Sequence, residues 1–366
     1  MANKVIISGG GTGGHIFPAI AIANALKLLS PEIEILFVGA LGKMEMDRVP
    51  SAGYKIIGLD IVGLNRKSLL KNFLLPFKLI KSLWDSRRII KDFKAELAVG
   101  VGGFASWPLL KTANFMGIPT IIQEQNSYAG LTNKQLGGKA IRICVAYQGM
   151  EKFFPAEKIL LTGNPIRRAA VEISGKRELG LNSFGLDGHR KTVLVTGGSL
   201  GSLTLNECMK NGISQLVDAN LQVIWQCGSY YYQELSKQIG ENLSPQIKLV
   251  PFLENMDLAY SAADIIISRA GAGTISELAV IGKPVILIPS PNVADDHQTK
   301  NANALVERSA AILVNDINAK DELISQILML NQSTAKQKEL SDNIKKLAID
   351  DADIVIAKEI LKILNN

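Results

Sequence analysis

Twice in this chain a short apolar run breaks straight into a glycine-rich turn. Val5-Ile6-Ile7-Ser8 leads into Gly9-Gly10-Gly11-Thr12-Gly13-Gly14, and Val193-Leu194-Val195-Thr196 leads into Gly197-Gly198-Ser199-Leu200-Gly201-Ser202. Glycine accepts the backbone angles that let a strand pass directly into a helix, so each turn predicts a strand-to-helix junction opening a nucleotide-type α/β unit. The repeat predicts two such units, and 366 residues is a length that suits two domains. Further short apolar runs follow each opening. They span residues 33–38, 54–57, 97–101, 120–122 and 141–145 in the first half, and 222–225, 247–250, 264–267, 285–288 and 311–314 in the second. These runs are continuous rather than alternating, as in strands buried on both faces, and helical patterns lie between them.

The expected fold class is therefore α/β, with two doubly wound parallel-sheet Rossmann-like domains facing a cleft. The expected boundaries are 1–163 and 164–340. An amphipathic helix over 341–364 either closes the second domain or crosses back to the first. The polar stretch 163–191, with Pro165 and the Asp187-Gly188 turn, marks the junction.

Composition narrows the function classes. The 47% hydrophobic content is that of a globular chain, and no apolar run reaches the roughly 18–20 residues of a spanning helix. The N-terminal residues lack a signal-peptide pattern, which predicts a cytoplasmic protein. Cys144, Cys208 and Cys227 read as reduced core thiols, and a count of three histidines argues against an all-histidine metal site. The net charge of +6 calls for an anionic partner: nucleic acid, an acidic membrane or a phosphorylated substrate.

Backbone N–H groups at a glycine-rich turn approach a phosphate closely, and the following helix adds a partial positive charge. The first turn is not a P-loop, because no Lys-Ser/Thr pair closes it. It also lacks the ribose-reading carboxylate of dinucleotide folds, since Phe37-Val38-Gly39-Ala40 ends in small residues. Pro18 is expected to start the helix. His15, directly after the turn, is the histidine best placed for proton transfer or charge stabilisation, with a packing role as the alternative. In the second turn, Ser199 is a phosphate candidate and Ser202 a helix cap.

A third segment carries chemistry. The run 263–268 leads into Arg269-Ala270-Gly271-Ala272-Gly273-Thr274-Ile275-Ser276-Glu277. Glu277 can accept hydrogen bonds from two vicinal hydroxyls, while Thr274 and Glu277 could also be a capping box. Beyond the strand 285–288 comes Asp295-Asp296-His297-Gln298-Thr299-Lys300-Asn301, either a ligand loop past a strand end or a solvated helix start.

Taken together, these blocks resemble the MurG family, the peptidoglycan N-acetylglucosaminyltransferases of the GT-B fold. The resemblance rests on residues 10–15, Gly197-Gly198-Ser199, Arg269 through Glu277, and Asp296-His297-Gln298. Glu124-Gln125-Asn126, residues 129–134 and Gly163-Asn164-Pro165-Ile166-Arg167 extend it over nearly the whole chain. It implies that Thr12, Gly13 and Gly14 contact the donor and that His15 lies at the reaction centre. Asn126 would approach the donor sugar and Arg167 the diphosphate. Ser199 would hold phosphate, and Leu253 would meet uracil through its backbone. Ala272, Gly273, Thr274, Ile275, Ser276 and Glu277 would supply phosphate and ribose contacts, and Gln298 would hold sugar hydroxyls. Two positions depart from the family pattern: Phe104 replaces an aromatic hydroxyl and Leu200 a glutamine.

The resemblance implies inverting transfer from UDP-N-acetylglucosamine to the C4 hydroxyl of undecaprenyl-diphosphate-linked N-acetylmuramyl pentapeptide, with no metal and no cofactor. His15 is the candidate base. The alternative has His15 orient the acceptor or phosphate while Glu124 takes the proton. The cleft is expected to close on the donor. Another GT-B transferase, a UDP-sugar epimerase or a non-catalytic UDP-sugar-binding protein are the rival readings. Residues 64–94, from Leu64 to Lys94, hold nine Lys/Arg and two Asp among large apolar residues. That pattern fits an anionic membrane surface at the cytoplasmic face of the inner membrane better than nucleic acid, and an ordinary core helix with a basic face is its alternative.

Overall fold

The computed structural model describes residues 3–63, 75–198, 200–240, 244–293 and 296–365. Ser199, Asp295 and the 64–74 part of the basic stretch lie outside the described residues. The chain divides into two compact units, Met1–Ile166 with Ile349–Asn366, and Arg167–Ala348.

The first unit runs β1 (Lys4–Ser8), α1 (Gly13–Leu29), β2 (Glu34–Ala40), α2 (Glu45–Ser51), β3 (Lys55–Leu59), α3 (Leu75–Phe93), β4 (Leu97–Gly100), α4 (Ser106–Phe115), β5 (Thr120–Glu124), α5 (Leu131–Gly137), β6 (Arg142–Val145) and β7 (Ile159–Leu161). Its strands form one parallel sheet in the order β3-β2-β1-β4-β5-β6-β7. The second unit runs α6 (Arg168–Val171), α7 (Arg177–Ser183), β8 (Thr192–Thr196), α8 (Leu203–Asp218), β9 (Gln222–Gln226), α9 (Ser229–Ile239), β10 (Ile247–Val250), α10 (Met256–Ala262), β11 (Ile265–Ser268), α11 (Ala272–Ile281), β12 (Val285–Leu287), α12 (His297–Val306), β13 (Ile312–Leu313), α13 (Ala319–Gln332) and α14 (Thr334–Lys345). Its parallel sheet has the order β10-β9-β8-β11-β12-β13. The last helix, α15 (Ala352–Leu364), belongs to the first unit.

Both sheets are doubly wound, and the order reverses beside β1 and beside β8. The two glycine turns leave exactly those strands, so each lies at a topological switch point, where open α/β sheets bind ligands. The strands are buried on both faces, as their continuous apolar runs require: β8, β9 and β11 are buried at every position.

Every expected run is a strand. β7 was not expected, because it is short and only partly buried. The single helix expected over 341–364 is two helices, α14 and α15, separated at residues 346–351. Leu340 and Ile344 of α14 are buried in the second unit. Ile356, Ala357 and Ile360 of α15 pack with Ile16, Ile22 and Leu26 of α1, all at most 1% exposed. Each of the isoleucines and the leucine contributes about 1.5–3 kcal/mol of burial free energy. The first helix also starts earlier than expected: α1 begins at Gly13, and Pro18 lies inside it. Proline there denies the Gly14 carbonyl its helical donor.

Candidate active site

In the first unit, the turn after β1 delivers His15 in the opening turn of α1. Thr12 caps the helix with its backbone carbonyl, which accepts the N–H of His15 (3.1 Å) and of Ile16 (3.2 Å). His15 Nδ1 lies 3.0 Å from the Gly10 carbonyl oxygen and 3.3 Å from Thr12 Oγ1. A carbonyl only accepts, so Nδ1 carries the proton in that contact. The Nε2 edge lies against Gly102, where a Cβ would stand 3.0 Å from His15 Nε2. Gly102 and Gly103 both have positive φ, and a Cβ on Gly103 would stand 2.4 Å from the Gly10 oxygen. The turn after β4 thus presses on the turn after β1 at a separation only glycine permits. Phe104 lies beside Gly11 and offers no hydroxyl there.

The donor contacts expected from this turn fall on Thr12, Gly13 and Gly14; one residue earlier, the Gly11 N–H donates to Oε2 of Glu45 at 3.0 Å, and Ala40 N–H donates to Oε1 at 3.0 Å. Glu45, fully buried at the start of α2, was missed. Its role depends on a contact across 34 residues of chain, which no local pattern announces.

Glu124 ends β5 and is 1% exposed. Oε1 accepts from the Asn126 N–H (3.0 Å) and Asn126 Nδ2 (3.3 Å). Oε2 accepts from the Gly130 N–H (3.0 Å) and Asn133 Nδ2 (2.9 Å). These four bonds occupy the roughly four lone-pair positions of a carboxylate. Behind it runs a buried amide network: Gln123 Nε2 donates to Asn164 Oδ1 (2.9 Å), Asn164 Nδ2 to the Gln125 carbonyl (3.0 Å), and Gln125 Nε2 to the Val101 carbonyl (2.7 Å). The Glu-Gln-Asn and Gly-Asn-Pro blocks of the sequence therefore meet in one structure.

In the second unit, the structure brings Arg167 and Glu277 together. Arg167 Nε donates to Glu277 Oε1 at 2.9 Å and Nη2 to Oε2 at 3.2 Å. Tyr260, absent from the sequence reading, donates its hydroxyl to Oε2 at 3.3 Å. Burial works against the Arg167 charge, but the hydrogen bond and charge of Glu277 outweigh it and hold the guanidinium above its ordinary pKa. Burial, then the Glu277 charge, push the Tyr260 phenol well above its own. Glu277 lies on α11 and is nearly buried, whereas the Arg167 side chain is about half exposed.

The remaining candidates of the second unit lie on α11, at the start of α12 and in the segment after β10. Gly271 caps α11 without a side chain, so Ala272, Gly273 and Thr274 open the helix and Ile275 and Ser276 continue it. Thr274 sits inside the helix, which excludes the capping box. Gln298 Oε1 accepts two backbone donors, Ala270 N–H (3.2 Å) and Ser290 N–H (2.8 Å). Those two donors fix the amide orientation and turn its NH2 group away from them. Leu253 buries its side chain in the segment after β10, and among the described residues its backbone N–H and carbonyl make no hydrogen bond. Arg269 ties the segments after β8, β12 and β13 together: it donates to the carbonyls of Ile288 and Pro289, to Asp316 and to Ser202 Oγ. Ser202 caps α8 by accepting from Leu205 N–H at 3.3 Å. Gly201 and Gly228 pack backbone to backbone, since a Cβ on Gly201 would stand 2.0 Å from the Cys227 carbonyl oxygen.

The described part of the basic stretch is α3. Ser82, Ser86, Ile89 and Ile90 face inward. Phe77, Ile80 and Trp84 are 67%, 56% and 73% exposed and share one outward stripe with Lys81, Arg88 and Lys91. Among the described residues, no helix is long and apolar enough to cross a membrane, and no group of three His, Cys, Asp or Glu could hold a metal ion.

Comparison with known proteins agrees with this geometry. Residues 5–145 match the glycosyltransferase family 28 N-terminal domain, and residues 192–355 match the glycosyltransferase family 28 C-terminal domain. A UDP-N-acetylglucosamine--N-acetylmuramyl-(pentapeptide) pyrophosphoryl-undecaprenol N-acetylglucosamine transferase of Bacteroides fragilis is 54% identical over 99% of this chain and 96% of its own length. The enzyme of that name from Flavobacterium psychrophilum is 50% identical over 99% of this chain and 98% of its own. The crystal structure of Acinetobacter baumannii MurG superposes with a TM-score of 0.80 at 28% identity, covering 98% of this chain and 99% of that one. With both domains, both sheets and the full length accounted for, the chain belongs to glycosyltransferase family 28 and, within it, to the MurG N-acetylglucosaminyltransferases of the GT-B fold.

Proposed function

We propose that this chain transfers N-acetylglucosamine from UDP-N-acetylglucosamine to the C4 hydroxyl of undecaprenyl-diphosphate-linked N-acetylmuramyl pentapeptide, forming a β-1,4 linkage. The observation that carries this reading is the end-to-end match, at about half identity, to enzymes bearing that activity in their names. Such a match favours transfer over epimerisation or mere binding. His15 is the base. Its Nδ1 proton is committed to the Gly10 carbonyl, so Nε2 is the nitrogen that takes the acceptor proton. As the acceptor oxygen bonds to the anomeric carbon, the bond to the diphosphate breaks and UDP leaves with its electron pair. Glu124 is a positioning residue rather than the proton acceptor, because both of its oxygens are already filled by the loop that follows it and by Asn133 of α5.

In the second unit, Leu253 would read uracil through its backbone, and Glu277 the ribose. Arg167, Ser199, Thr274, Ser276 and the amides of Ala272, Gly273 and Ile275 would meet the diphosphate. The NH2 group of Gln298 would hold sugar hydroxyls. Thr12, Gly13, Gly14 and Asn126 would complete the donor-sugar contacts. The outward stripe of α3 would sit on anionic lipid, where the acceptor's undecaprenyl chain is dissolved; each cation near such a surface is worth about 1 kcal/mol. This makes the protein peripheral to the inner face of the plasma membrane.

The test is transfer of labelled sugar from UDP-N-acetylglucosamine to a lipid-linked muramyl acceptor. Wild type is expected to form the disaccharide and His15→Ala to lose at least about 100-fold in kcat, the usual size of a general-base contribution. Absence of product from wild type overturns the reaction, and an unimpaired His15→Ala removes the base. Turnover of the donor without acceptor would favour epimerisation.

A further inference from the structure

Gly10 and Gly11 share one peptide group, and that group is gripped at both ends. Its carbonyl oxygen meets His15 Nδ1 at 3.0 Å, and its N–H donates to Glu45 Oε2 at 3.0 Å. The second oxygen of Glu45 accepts from the Ala40 N–H, so the carboxylate is fixed in orientation as well as in place. The chain clears space for it. A Cβ on Gly10 would stand 2.1 Å from Glu45 Oε1, and one on Gly39 would stand 2.6 Å from Glu45 Cγ. An anion at the N–H end of an amide strengthens the carbonyl at the other end as an acceptor, because hydrogen bonds in a chain polarise one another. A stronger acceptor at Gly10 favours the ring form whose proton is on Nδ1. A loop brace alone would need neither the carbonyl contact nor the shared peptide.

We propose that Glu45 is a positioning residue for the transfer reaction: acting through the Gly10–Gly11 peptide, it holds the His15 ring in the Nδ1-protonated form that leaves Nε2 to accept a proton. The catalytic part of this rests on His15 being the base; the effect on the ring does not.

The experiment is nitrogen NMR of the full chain with labelled histidine, the His15 signals being identified by their loss in His15→Ala. Wild type is expected to show neutral His15 as one Nδ1–H tautomer. Glu45→Gln, which cannot accept both backbone N–H groups, is expected to give a mixture of tautomers. Its kcat should fall roughly 10–100-fold while donor KM stays within about twofold, the loss seen when a functional histidine loses its orienting partner. In a His15→Ala background, Glu45→Gln should cost nothing further. An Nε2–H tautomer in wild type, or an unchanged tautomer in Glu45→Gln, overturns the proposal. A tautomer shift with full turnover supports the hold of Glu45 on the ring and removes His15 as base. If the glutamine variant does not fold, Glu45→Asp, whose shorter side chain cannot hold both backbone N–H groups, is measured in its place with the same deciding outcomes.

Discussion

Arg167 and Glu277 form a two-pronged ion pair in the second unit, with Nε to Oε1 at 2.9 Å and Nη2 to Oε2 at 3.2 Å. The guanidinium thus occupies both oxygens proposed to read the ribose, so a nucleotide must take over partners that already exist. The arginine it displaces is about half exposed, and the diphosphate offers it a second anion of the kind a guanidinium pairs with. Arg167→Ala should therefore weaken UDP roughly tenfold or more but leave uridine no weaker. Glu277→Ala should weaken both, by the 1.5–3 kcal/mol scale of hydrogen bonds to a charged group. Calorimetric titration with the two ligands checks this; equal losses for UDP and uridine in Arg167→Ala would remove arginine from the diphosphate.

Gln298 separates structure from recognition in one side chain. Its oxygen holds the Ala270 and Ser290 N–H groups, and its nitrogen makes no hydrogen bond among the described residues. Gln298→Glu keeps the acceptor and deletes the donor. The melting temperature should stay close to wild type while KM for UDP-N-acetylglucosamine rises about tenfold, the worth of one hydrogen bond. A large fall in melting temperature would mean that the amide NH2 is structural.

Gly103 should not tolerate alanine. Its φ of +82° is in the left-handed region, and its Cβ would stand 2.4 Å from the Gly10 oxygen, the atom that holds His15. The backbone angle alone costs about 1–2 kcal/mol. Gly103→Ala is expected to lower unfolding free energy by about 2 kcal/mol or more and to reduce kcat as well. Denaturant unfolding and steady-state rates measure the two losses.

The α3 stripe is expected to bind lipid rather than to pack. Replacing Phe77, Ile80 and Trp84 by serine together should reduce sedimentation with phosphatidylglycerol vesicles several-fold. Transfer to a short-chain, water-soluble acceptor should be unchanged. Binding by wild type should weaken with salt, since Lys81, Arg88 and Lys91 share the stripe.

Lys283 introduces a pH dependence of stability. Its Nζ donates to the carbonyls of Tyr260, Ser261 and Ala263 at the end of α10, and burial pushes its pKa down from 10.5 to about 8. Between those values the unfolded chain binds more protons than the folded one, so the contribution of Lys283 rises with pH across the window and is lost as pH falls through 8. The stability of wild type relative to Lys283→Gln should increase between pH 7.5 and 10. A flat difference would show that the ammonium is better solvated than its burial implies.

The fold was legible because buried parallel strands declare themselves as unbroken apolar runs, and the two glycine turns placed the switch points. β7 was not, since Ile159, Leu160 and Leu161 are too few and too exposed to form a distinct run. The division between α14 and α15 was hidden because the amphipathic pattern continues across the break while the chain changes unit. At the site, local motifs named Arg167 and Glu277 separately, and the fold pairs them. Glu45 and Tyr260 could not be named, and Arg269 was named without its bracing role, because each owes that role to a partner that only the fold brings near.

The return of α15 to the first unit has a consequence for synthesis. On the ribosome, the stretch from Arg167 to Ala348 emerges as one uninterrupted segment and can complete its core as soon as it is out. The earlier-made half must wait, with Ile16, Ile22 and Leu26 of α1 uncovered, until Ile356 and Ile360 arrive. The part of the chain made first is thus finished last, and a ribosome stalled before Ala352 would display a sticky, half-closed domain beside a mature one.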